Sequence, residues 1–138
     1  MSNRQTSGVW ISANSATILR WGVGFTLRQR IDSKVPGRHR STGRPPTAEH
    51  PSSEGHRDEH MRAFFDHVAH VLPDDDDLLL VGDGEVVEHF ADQIRAGDIN
   101  RRLDRRIEVQ KSGPITERQL QARIRTFAGS SARRHLPR

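Results

Sequence analysis

The chain has 138 residues, with 22 Lys plus Arg against 18 Asp plus Glu, a net charge of +4 and no cysteine. The length predicts one domain, and the composition excludes disulfides, thiolate metal centres and, with no apolar run near the ~18 residues of a membrane span and no secretory signal, points to a cytoplasmic protein. Leu, Ile, Val and Phe total 31 residues, close to the roughly 20% share at which chains stay disordered, so the core must be small and well patterned.

Val9-Trp10-Ile11 and Ala16 to Trp21 read as two strands joined by a turn at Ala13-Asn14-Ser15. Gly22 and Gly24 mark a second turn. Phe25 to Ile31 then alternates as a third strand with Phe25, Leu27 and Gln29 on one side, which completes an antiparallel meander. From Pro36 to Gly55 the chain holds four of its seven prolines, three glycines and no aromatic residue. A segment of that composition cannot pack and predicts a flexible basic loop.

Helical periodicity begins near Arg57, where Met61, Phe64, Phe65, Val68 and Leu72 form one apolar stripe. Pro73 and the run Asp74 to Asp77 end it, and that run reads as a solvated turn. Leu78 to Val81 is wholly apolar, as for a strand covered on both faces. Gly82-Asp83-Gly84 turns the chain into a second helix with Val87, Phe90, Ala91 and Ile94 on one face, and Ile107 to Gln110 is a fifth strand. Thr116 and Gln119 form a capping box for a last helix, with Ile115 placed to staple onto Leu120. Leu120, Ile124 and Phe127 follow at helical spacing, and Gly129 suits a stop.

The order is β-β-β-α-β-α-β-α, an α/β arrangement with the element order of a ribonuclease H-like mixed sheet and helices on its faces. Residues 1–8 read as a disordered start, 9–128 as one module with a flexible basic loop at 36–56, and 129–138 as a basic tail.

This order and several segments resemble the central domain of archaeo-eukaryotic class 1 release factors and Pelota, and small bacterial relatives of that superfamily. The residues that carry the resemblance are Ser33 to Arg40 opening the loop, Arg57 to Phe65 closing it, Leu79 to Glu85, and Thr116-Glu117-Arg118-Gln119. They span about Val9 to Phe127. The resemblance implies a translation release or rescue setting, with ribosome binding. It concerns one domain only; those that read a stop codon or recruit a GTPase lie outside it. The loop has Ser41-Thr42-Gly43-Arg44-Pro45 where release factors carry Gly-Gly-Gln, and Val87 stands where an early helix Lys is expected. Peptide release is therefore not implied.

Charge is segregated along the chain: residues 1–57 carry +6, 58–100 carry −10 and 101–138 carry +8. Twenty of the 22 basic side chains are arginine, which grips phosphate bidentately, although a GC-rich genome also favours Arg codons. Arg38, His39, Arg40 and Arg44 in the loop, Arg101, Arg102, Arg105 and Arg106 before the fifth strand, and Arg133 and Arg134 in the tail are the candidate RNA-binding residues. Aromatic residues are scarce outside the apparent core, so the expected contacts are to phosphate and sugar rather than to stacked bases.

A ribonuclease H-like nuclease needs several carboxylates on two metal ions. Val9-Trp10-Ile11-Ser12 supplies none, and Asp83 reads as a helix N-cap. His56, His60, His67 and His70 read as solvated helix-face residues rather than a metal site. No catalytic residue, metal or cofactor is expected. The chain reads as a monomeric, non-catalytic protein binding the ribosome, or structured rRNA or tRNA, through phosphates, with a hibernation or stress role implied by the resemblance. The alternatives are a nuclease or peptidyl-tRNA hydrolase, and a protein-interaction module using the acidic 58–100 region.

Overall fold

The computed structural model describes residues 5–33 and 52–134, with side chains over 5–33 and 59–130. Five strands form one sheet in the order β3-β2-β1-β4-β5. β1 (Thr6–Ile11), β2 (Ser15–Trp21) and β3 (Phe25–Asp32) are the antiparallel meander, while β4 (Asp77–Gly82) pairs parallel with β1 and β5 (Ile107–Lys111) parallel with β4. The helices are α1 (Ser52–Val71), α2 (Gly84–Arg101) and α3 (Glu117–Arg134). This is the ribonuclease H-like α/β arrangement that the element order predicts.

The sheet separates two cores. On one face Val9, Ile11, Ala16, Ile18, Leu78 and Leu80 pack against Phe64, Phe65, Val68 and Leu72 of α1 and Val87, Phe90, Ala91 and Ile94 of α2. On the other, Leu19, Leu79 and Val81 pack against Leu120, Ile124 and Phe127 of α3. β4 feeds both, because successive side chains point to opposite faces; that is why its sequence is continuously apolar. Every apolar position of the three helical stripes is buried except Met61, which is half-buried.

Two glycines fix how closely the parts approach. A Cβ at Gly8 would lie 2.3 Å from both Cγ1 and Cδ1 of Ile124, so α3 rests directly on the backbone of β1. A Cβ at Gly82 would lie 2.1 Å from the Ile11 carbonyl oxygen at the end of the β1–β4 pair. The capping box forms in both directions: Thr116 N–H donates to Gln119 Oε1 at 2.8 Å, and Gln119 N–H donates to Thr116 Oγ1 at 3.1 Å.

The boundaries differ in four places. β1 begins at Thr6, inside the expected disordered start, because Thr6 and Ser7 are buried in its register with β2 and β4. α1 begins at Ser52, inside the expected loop, with serines at its start, the residue type suited to a helix N-terminus. α3 passes through Gly129 to Arg134, the ~1 kcal/mol penalty of an internal glycine being offset by packing at Phe127.

The last difference concerns Asp74 to Asp77, only half of which is a solvated turn. Asp76 is 1% exposed and accepts from Ser7 Oγ at 2.8 Å and from both Nε and Nη2 of Arg20 at 2.8 and 3.0 Å. That hydrogen bond to Asp76 raises the Arg20 pKa above its ordinary value. Asp77 is buried too and accepts from the Arg106 N–H at 3.0 Å, which ties the start of β4 to the start of β5.

Candidate nucleic-acid interface

The candidate arginines take separate places. The Arg105 side chain is 3% exposed and forms a bidentate pair with the buried Asp98, both bonds 2.8 Å, while its third nitrogen donates to the Pro73 carbonyl at 2.8 Å. It fastens the end of α2 to the turn before β4 and offers nothing to a ligand, which corrects its assignment as an RNA contact. Arg106 is half-buried, its guanidinium 4.2 Å above the Phe127 ring and 3.4 Å from Glu108 and Ser130. Arg101 pairs with Asp74 at 3.0 Å beside α1, and Arg102 is exposed in the left-handed conformation that ends α2. Arg133 and Arg134 fall in the last turn of α3. Arg38, His39, Arg40 and Arg44 lie outside the described residues.

A second group of arginines was not singled out by the sequence. In β3, Arg28 pairs across from Leu19 and Arg30 from Thr17. Cross-strand partners share a face, so both arginines lie on the side where α3 packs against Leu19. Arg118 and Arg125 are exposed on α3, and Arg123 donates to Gln110 at 3.2 Å. Arg28 reaches Glu117 at 3.0 Å yet stays 73% exposed. The signals were present: alternate arginines at positions 28 and 30 mark the outer side of a strand, and α3 holds five arginines against one glutamate.

The opposite face carries the acids. α2 presents Glu85, Glu88 and Asp92, and α1 presents Glu59 and Asp66, all exposed. Glu88 is held below the ordinary carboxylate range by its hydrogen bond from Lys111 at 2.8 Å. Between α1 and α2 runs a groove of about 550 Å³, but its carboxylates are taken up internally: Asp66 by Gln93, Asp74 by Arg101 and Asp98 by Arg105. Among the described residues, the exposed acids of α1 and α2, interspersed with Arg62, Arg95 and Arg101, lie on one side of the sheet, and the arginines of β3 and α3 lie on the other.

Asp83 occupies the N-cap of α2 by position, but its exposed side chain makes no capping hydrogen bond. Among the described residues, no three His, Asp or Glu side chains are grouped to hold a metal ion, and no helix is long and apolar enough to cross a membrane.

Solved structures that share this fold include two translation factors. An archaeal translation termination factor, aRF1, matches 88% of the chain at a TM-score of 0.55 and 14% identity. Dom34 of S. cerevisiae, a translation termination-like factor involved in RNA quality control and interacting with Hbs1, matches 85% at a TM-score of 0.50 and 11% identity. The chain spans about a third of the length of each, 33% and 31%. At 14% and 11% identity the likeness is one of fold, over most of the segments whose local motifs carry the resemblance. No protein-family model matches the sequence, and no curated protein matches it.

Proposed function

We propose that this protein is a non-catalytic, cytoplasmic ribosome- or structured-RNA-binding module of the translation termination and rescue type, contacting phosphates through its α3 face and through Arg38, Arg40 and Arg44. The observation that carries the reading is the gathering of Arg28, Arg30, Arg118 and Arg125 on one face of a fold shared with aRF1 and Dom34. A polyanion lying on that face meets arginine, and the acidic α1–α2 face turns the opposite side away from it.

A hibernation or stress role is the finer form of this proposal. The sequence holds no Gly-Gly-Gln, so the chain would occupy an RNA surface rather than release a peptide there. Hydrolysis has less support because β1 carries no carboxylate. A protein partner on the 58–100 region has less support because Asp74, Asp76 and Asp98 are engaged within the fold.

Co-sedimentation with ribosomes over a salt series tests the reading. Binding should weaken as salt rises, with a log–log slope of about 0.7–0.9 for each phosphate neutralised. Arg28→Ala, Arg30→Ala and Arg118→Ala combined should weaken binding and flatten that slope, and so should Arg38, Arg40 and Arg44 changed to Ala. Salt-independent binding, or binding unchanged in both variants, would refute it.

A further inference from the structure

We infer that the Trp21–Phe25 corner of the α3 face is a stacking site for an unpaired nucleobase, with Arg125 and Arg28 beside it to take the neighbouring phosphates. This inference rests on the RNA-binding reading and adds to its phosphate contacts an unpaired base within that RNA, where the aromatic content of the sequence leads to an expectation of phosphate and sugar contacts alone. The distribution of aromatic residues points there. The chain has two Trp, five Phe and no Tyr. Phe64, Phe65, Phe90 and Phe127 are buried. The three left part-exposed, Trp10, Trp21 and Phe25, all lie on the basic face.

Between α3 and the outer edge of the sheet runs a strip formed by the cross-strand pairs Thr17–Arg30, Leu19–Arg28 and Trp21–Phe25. Along β2 the pairs fall two residues apart and span about 14 Å, enough for a few nucleotides. On β3 a bulge opposite Arg20–Trp21 sets Phe25 three residues from Arg28 and turns it to the α3 side, away from Leu27, with which the alternation of the sequence groups it. The strip thus begins on two arginines and ends on two aromatic rings. Beyond it, Val23 stands fully exposed at the tip of the β2–β3 turn.

The geometry at the aromatic end suits a planar guest. The Trp21 and Phe25 centroids are 4.7 Å apart with planes tilted by 48°, so neither ring covers the other face to face. The Arg125 guanidinium lies 6.0 Å from the Trp21 centroid, against 4.2 Å for the closed pair of Arg106 and Phe127. A base stacking on the Trp21 ring would displace the exposed Arg125 side chain outward and keep it beside the stack. Stacking of this kind tolerates any base, and arginine adds a cation–π contact.

Trp10→Phe leaves Trp21 as the one tryptophan emitter, so its fluorescence reports the site directly. An unstructured oligoadenylate of about 12 nucleotides should quench it saturably, and a blunt RNA duplex of equal length should not. Trp21→Leu should weaken oligonucleotide binding, read by anisotropy, about tenfold. Arg125→Ala, at an exposed position, should weaken it several-fold with an unchanged melting curve. Equal quenching by the duplex, no quenching, or parental affinity in both variants overturns the inference. If ribosome co-sedimentation still depends on Arg28, Arg30 and Arg118 while Trp21 is silent, this inference alone fails. If neither signal is seen, the RNA-binding reading fails with it.

Discussion

Replacing Arg105 separates a structural arginine from a binding one. The Arg105 side chain is 3% exposed, and that of Asp98, at 9%, accepts two of its hydrogen bonds. Truncation to Ala leaves the Asp98 carboxylate buried without its partner and frees the Pro73 carbonyl, a situation that costs about 3–5 kcal/mol. The unfolding entropy of a 138-residue chain, at ~2.1 cal/mol/K per residue, is about 0.29 kcal/mol/K. The melting temperature of Arg105→Ala should therefore fall by about 10–17 °C. The double variant Arg105→Met with Asp98→Leu should recover most of that loss, because an apolar pair of similar volume leaves no stranded charge. Differential scanning calorimetry gives the melting temperatures, and co-sedimentation below the transition gives ribosome binding, which should be unchanged. An Arg105→Ala protein with the parental melting temperature and weakened ribosome binding would refute the assignment.

Gly8→Ala should destabilise by about 1–3 kcal/mol, since the new methyl group collides with Ile124 where α3 rests on β1. Combined with Ile124→Ala, it should cost less than the sum of the two single changes; strict additivity in denaturant melts would contradict the close contact. Lys111→Met should raise the Glu88 pKa back toward its ordinary range, read by carboxyl-carbon NMR titration. A carboxylate depressed in the folded state stabilises the fold above its unfolded pKa and loses that effect as pH falls through the folded value. The variant should therefore differ from the parent only above that acid limb, and added salt should shrink the difference.

The helical stripes, the capping box and the doubly covered β4 were legible because each depends on spacing within one segment. Thr116 and Gln119 need only each other, and Leu78 to Val81 need only be apolar. What stayed hidden depends on residues far apart in the chain. Asp76 reads as one member of a solvated acidic run, and only the pairing of β1 with β2 and β4 brings Ser7 and Arg20 to it, 69 and 56 residues away. Arg105 looks like one of four clustered arginines, yet the cap of α2 turns it inward onto Asp98 while Arg102 stays outside. Trp21 and Phe25 read as parts of an apolar strand pair, and nothing local says that α3 leaves them half-covered beside Arg125.

Charge segregation shows the same dependence on topology, and it bears on function. Alternating basic and acidic blocks along a chain need not produce a two-faced molecule. Here they do, because the acidic block supplies α1 and α2, which share one side of the sheet, while the late basic block supplies α3 on the other. The early basic block supplies β3, an edge strand whose Arg28 and Arg30 extend the α3 side. Such a molecule meets a polyanion in one orientation, since its α1–α2 side is repelled. Orientation of that kind would bring the Trp21–Phe25 corner to the RNA along with the arginines. Reversing the acids of the far side, Glu85→Lys with Asp92→Lys, should then raise non-specific RNA affinity without increasing Trp21 quenching. An increase in quenching in step with affinity would show that the acidic side does not set the orientation.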